Sequence, residues 1–192
     1  MWRKVDKNLL LLSGGLIAGI LIGVIVLFGL RENHWLGSTG NPSGANNLSA
    51  SSLIGLQAPG FELASLTGHS LKLEDYKGIP VVINFWATWC APCKEEMPVL
   101  QDRYKIYGHR FAILAVNFEE EPKDVQPYIE KLKLTFPILL DSQGKAADLY
   151  HVIGMPTTFF LDKDGIVRAM YIGTLSEKKL DDYLKKIGVI DG

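Results

Sequence analysis

Cys90 and Cys93 are the only two cysteines among 192 residues, and they stand three apart in Cys90-Ala91-Pro92-Cys93. The apolar run Val81-Val-Ile-Asn84-Phe85-Trp86 precedes them, rich in β-branched and aromatic residues, and reads as a buried strand. The turn Ala87-Thr88-Trp89 follows, and Lys94-Glu95-Glu96-Met97, all good helix formers, comes after the pair. Strand, turn, Cys-x-x-Cys, helix places Cys90 at a helix N-terminus. There, unpaired backbone N–H groups and the positive end of the helix dipole favour the thiolate, the nucleophilic form. Pro92 suits the first turn, which needs no backbone N–H at that point. Cys93 falls nearly below Cys90 on one helix face, so the sulfurs can close a disulfide and reopen it, with Cys93 as the more buried thiol.

Other uses of the pair fit less well. A structural disulfide closing so short a loop would stabilise little. Attachment of a c-type haem requires His after the second cysteine, and that residue is Lys94. A zinc site needs about four ligands, and His34, His69, His109 and His151 are scattered without metal-ligand spacing. No metal and no cofactor is expected.

Trp86-Ala-Thr-Trp89-Cys90-Ala91-Pro92-Cys93-Lys94 resembles the thioredoxin-superfamily active site, and Pro98, five residues after Cys93, matches the proline that kinks its helix. The longer string from Asn84 to Pro98 is more similar to the membrane-anchored TlpA/ResA/CcmG branch than to thioredoxin itself. Thioredoxin has a buried Asp six residues before the first cysteine. Asn84 stands there in this chain, as Asn does in the anchored branch, which also has a Glu three residues after the second cysteine, here Glu96. The resemblance runs from about residue 53 to about residue 190. It implies an α/β thioredoxin fold: a central mixed sheet flanked by helices, with an N-terminal β-hairpin extension and a central helical insertion, preceded by one transmembrane helix.

Gly154-Met155-Pro156-Thr157-Thr158 is a second motif. Read alone, it is a proline at the start of a strand. The resemblance implies the cis-proline loop that packs against the cysteines, with the backbone of Met155 free to pair with an extended substrate segment as an added strand would. The implied site is therefore Cys90, Cys93, Glu96 and Pro156 for catalysis, with Trp89, Ala91, Pro92, Met155 and Thr157 as substrate contacts. Glu96 has two readings: a solvated carboxylate on the helix face, or a group buried beneath Cys93, its pKa raised by desolvation, that exchanges protons with the thiols. Trp86 reads as core and Trp89 as a contact platform beside Cys90.

These residues need a scaffold, and the rest of the chain supplies one. Phe61–Leu66 and Ser70–Leu73 alternate about Thr67-Gly68, as a hairpin does. Phe111–Phe118 is a second buried strand, so strand, helix and strand form a parallel unit. Pro122–Leu132 is an amphipathic helix, Ile138–Leu140 a short strand and Lys145–Tyr150 a short helix. Thr157–Leu161 and Ile166–Tyr171 are strands joined by Asp162-Lys-Asp-Gly165. Glu177–Ile187 is a closing helix, capped by Ser176 and followed by Gly188. Glu119-Glu120-Glu121 follows a strand whose end shares the rim with the cysteines. The run would select partners by charge there, or be a plain solvated loop.

Upstream, Leu9–Leu30 is 22 residues without a charge, about 33 Å as a helix and enough to cross a bilayer. It is longer than a signal-peptide core, lacks a small-x-small cleavage site and reads as an uncleaved anchor. Three basic residues against one acidic in Met1–Asn8 put the N-terminus in the cytoplasm and the domain outside. Gly15, Gly19 and Gly23 either form a helix-pairing face or reflect the ordinary frequency of glycine in membrane helices. The expected organisation is 1–8 cytoplasmic, 9–30 anchor, 31–52 flexible linker and 53–192 thioredoxin-like domain. Net charge is −1, and nothing suggests a nucleic-acid partner.

The expected activity is extracytoplasmic thiol–disulfide exchange on protein disulfides, in a membrane facing an oxidising compartment. The resemblance implies a reducing role, with apocytochrome c as a typical client and a membrane thiol relay as electron donor. The alternatives are a disulfide oxidant or isomerase, and a copper chaperone of the SCO type, whose Cys-x-x-x-Cys spacing is one residue longer. The Pro-x-x-x-Thr-x-x-Cys string of thiol peroxidases is absent.

Overall fold

The computed structural model describes residues 49–191. The apolar run Leu9–Leu30, with Gly15, Gly19 and Gly23, and the linker up to Leu48 lie outside the described residues. Among the described residues, no helix is long and apolar enough to cross a membrane.

The elements follow one another as β1 (Glu62–Ser65), β2 (Ser70–Lys72), β3 (Val81–Trp86), α1 (Ala91–Tyr107), β4 (Ala112–Phe118), α2 (Pro122–Leu132), β5 (Ile138–Asp141), α3 (Lys145–Leu149), β6 (Thr157–Leu161), β7 (Val167–Ile172) and α4 (Glu177–Lys186). The seven strands form one mixed sheet in the order β2-β1-β5-β4-β3-β6-β7. β3 lies near its centre, parallel to β4 and antiparallel to β6. That position explains why all six of its residues are buried and why it reads as an unbroken apolar run. β4 and β5 are also parallel, so α1 and α2 are crossover helices. β1 pairs antiparallel with β5, Ala64 opposite Leu140, and the N-terminal hairpin thereby extends the sheet.

Alternation along β3 divides the core. Val82 and Trp86 face the cluster that also holds Cys93, Met97, Leu100, Phe160 and Leu180. Val81, Ile83 and Phe85 face a second cluster with Phe61, Tyr150 and Phe159. In that second cluster Tyr150 packs 5.0 Å from Phe159 and 5.4 Å from Phe85, and its hydroxyl donates to Pro59 O at 2.7 Å, pinning the N-terminal extension to the sheet.

Several element boundaries differ from expectation by one residue, and two differences have a visible cause. The last strand begins at Val167 rather than Ile166, because Ile166 belongs to the turn: its N–H donates to Asp162 Oδ1 at 3.0 Å. Packing also starts ahead of Leu53. A 3-10 turn over Ala50–Leu53 buries both end residues, and Gly55 N–H donates to Val167 O at 2.8 Å.

Candidate active site

The C-terminal ends of β3 and β4 form the rim that carries the cysteines. After Trp86 the chain makes a turn closed by Cys90 N–H donating to Ala87 O at 3.2 Å, and α1 begins at once. Cys90 is the N-cap residue of α1. Its Sγ accepts the N–H of Cys93 at 3.2 Å, one of the donors that a helix start leaves unpaired. Cys90 and Cys93 are joined in a disulfide, with their Cα atoms 5.3 Å apart. Cys93 is fully buried and Cys90 nearly so, while Ala91 and Pro92 are exposed and Trp89 is 64% exposed. α1 runs on through Pro98 to Tyr107.

The second motif reaches the same rim through sheet register. Thr157 opens β6 opposite Phe85, which places Pro156 beside the end of β3. The Met155–Pro156 bond is cis. Pro156 is buried, and Met155 packs partly buried against the cluster containing both cysteines. Thr157 Oγ1 donates to Gly154 O at 2.7 Å, and Pro156 O accepts Gly173 N–H at 2.9 Å. Among the described residues, the backbone of Met155 takes no backbone partner.

Glu96 lies one turn beyond Cys93 on the same helix face and is fully buried, whereas Glu95 is exposed. Its Oε1 accepts from Asn84 Nδ2 at 2.8 Å and its Oε2 from Leu175 N–H at 3.0 Å. Burial pushes its pKa up to about 7, and the two donors pull less strongly the other way. A carboxyl poised near neutrality can take or give a proton during thiol chemistry.

Asn84 has a part that its position in the motif did not disclose. Read against thioredoxin, it is a missing proton acceptor. In the structure it is a donor, spanning Glu96 and Thr158 Oγ1 at 2.9 Å, while its own Oδ1 has no partner. The only sequence signal was a single amide inside an apolar strand. The acidic run is also more differentiated than a charged patch. Glu119 and Glu121 are exposed, but Glu120 turns inward to Thr88 and Asn117. Among the described residues, no group of three or more His, Cys, Asp or Glu is placed to hold a metal ion.

The family model described as the AhpC/TSA family matches residues 54–170. The chain is 43% identical over 133 residues to thioredoxin-like protein YneN of Bacillus subtilis, covering 68% of this chain and 78% of that one. It is 42% identical over 135 residues to thiol-disulfide oxidoreductase ResA of Geobacillus kaustophilus, covering 70% and 78% of the two chains. Among solved structures, StoA from Bacillus subtilis superposes with a TM-score of 0.58 at 31% identity, over 66% of this chain and 96% of that one.

Proposed function

The chain belongs to the AhpC/TSA family and is a thioredoxin-like thiol–disulfide oxidoreductase, and from that premise we propose that it is a membrane-anchored reductant of protein disulfides outside the cytoplasm. The observation that carries the chemistry is the Cys90–Cys93 disulfide at the start of α1 with a buried carboxyl, Glu96, one turn below it. Cys90 thiolate attacks one sulfur of the partner's disulfide. A mixed disulfide forms, and the partner's other sulfur leaves as a thiolate and takes a proton. Cys93 gives its proton to Glu96, attacks Cys90 Sγ and expels the partner's second thiolate, which is protonated in turn. Two electrons pass to the partner, and the Cys90–Cys93 disulfide remains. Trp89, Ala91 and Pro92 offer the exposed contact surface, and Met155 a backbone without a partner against the cluster that holds the cysteines, whereas Thr157, expected as a contact, is fully buried because β6 is paired on both sides by β3 and β7.

The charge-free run Leu9–Leu30, with its basic flank, supports an anchor that leaves the domain on the outer side. Apocytochrome c, through its haem-binding Cys-x-x-Cys-His, fits as client. A membrane thiol relay would restore the dithiol. The test is the reduction potential of the Cys90–Cys93 pair in the full chain. A value near or below about −270 mV supports a reductant, and one near about −120 mV makes the protein an oxidant and removes the client assignment.

A further inference from the structure

Glu120 stands 30 residues after Cys90 in the sequence, yet its carboxylate lies under the turn that presents Cys90. Three donors converge on it. Thr88 N–H reaches Oε2 at 2.7 Å, Asn117 Nδ2 reaches the same oxygen at 2.7 Å, and the Thr88 hydroxyl donates to Oε1. No other side chain ties the Ala87–Cys90 turn to the sheet among the described hydrogen bonds. The backbone is bent to bring Glu120 there. Glu119 has a φ of +53°, in the left-handed region that a side chain with a β-carbon rarely occupies, and it lies in the bend that follows β4. A left-handed residue at a functional rim points to a geometry that the surrounding structure enforces.

We propose that Glu120 is a positioning residue for the dithiol: through Thr88 it fixes the turn that sets Trp89 on the surface and Cys90 Sγ over the first N–H groups of α1. The proposal rests on the reading of Cys90–Cys93 as an exchanging pair. A carboxylate suits the task because it only accepts, and everything that meets it donates. Glutamine keeps one accepting oxygen for Thr88 and sets an NH₂ against Asn117. Alanine keeps nothing.

The test compares Glu120→Gln with Glu120→Ala in the full reduced chain, at a temperature where circular dichroism shows both folded. Neither variant has the negative charge, so a difference between them reports position and not charge. Two quantities are read: the midpoint of the pH profile for alkylation of Cys90 by iodoacetamide, and the rate of insulin disulfide reduction. The expected result is a higher midpoint for Glu120→Ala than for Glu120→Gln, and an insulin rate lower by roughly tenfold, part of the roughly hundredfold that a displacement of about 1 Å at a reacting atom can cost. Equal midpoints with rates within twofold overturn the proposal, because a residue that only stabilises the fold would shift melting and neither of these. Should Glu120→Ala fail to fold, Thr88→Val against Thr88→Ser carries the same comparison, with Val expected to be the slower and an equal pair overturning the idea. Wild-type chain that does not reduce insulin would count against the exchange reading itself, and the alkylation profiles would still decide the role of Glu120.

Discussion

The two faces of the central sheet use the same strands for different ends. On one, Ile83, Phe85 and Phe159 meet Phe61 and Tyr150 in an aromatic cluster whose single polar atom, the Tyr150 hydroxyl, is paired with Pro59 O. On the other, between apolar neighbours, Asn84 and Thr158 meet Glu96, and one acceptor, Asn84 Oδ1, is left over. Adjacent residues of β3 and β6 thus face an inert layer and a reactive one. The inert layer supplies stability by excluding water. The reactive layer gives some of it back by burying a carboxyl. The buried carboxyl sits where burial is least comfortable, and the opposite face makes that tolerable.

The separation is breakable. Phe159→Ala should cost about 3–5 kcal/mol in urea unfolding while leaving insulin reduction per folded molecule unchanged. A rate that collapses with it would show that the faces are not independent. On the reactive face, the pKa of Glu96 is about 7 in the folded chain against 4.5 when exposed. Between those values the folded state holds a proton that the unfolded state has released. Stability therefore falls as pH rises from about 4.5 to about 7, by about 3 kcal/mol, and is level above. Glu96→Gln should abolish that slope and be the more stable protein at pH 8; parallel stability–pH curves would refute the assignment.

Asn84→Asp sharpens the same contrast. It would set a second carboxyl beside Glu96, the pair would share protons, and the upper midpoint should rise by about one unit or more, as followed by carboxyl NMR. An unmoved midpoint would mean that Asn84 does not govern Glu96. The smallest effect belongs to neither face but to the rim. Glu119→Gly should relieve the left-handed backbone and raise the melting midpoint, by up to about 1 kcal/mol of stability.

Local features were legible and long-range ones were not. The burial of β3, the N-cap position of Cys90, the Ser176 cap and the Asp162–Gly165 turn each follow from residues within a few positions of one another. The cis Met155–Pro156 bond was legible only through resemblance. What holds Glu96 was not legible at all: one of its donors is the backbone N–H of Leu175, 79 residues away, and a backbone group carries no side-chain signature. The same holds for Glu120 and Thr88. A run of three glutamates gives no sign of which one turns inward, because that depends on the sheet bringing β3 beside β4.

The ends of the sheet bear on solubility. An open edge strand invites another chain to add to it, and both edges here are blunted. Beyond β5, the hairpin terminates in β2, only three residues long, whose Lys72 pairs with Glu62 at 3.3 Å. At the other side, the segment around Gly55–Gln57 lies along the start of β7, where Val167 N–H donates to Leu56 O at 3.0 Å and Gln57 bridges Ile166. A short, charged strand at one end of the sheet and a covered strand start at the other leave fewer places where a second copy could add a strand.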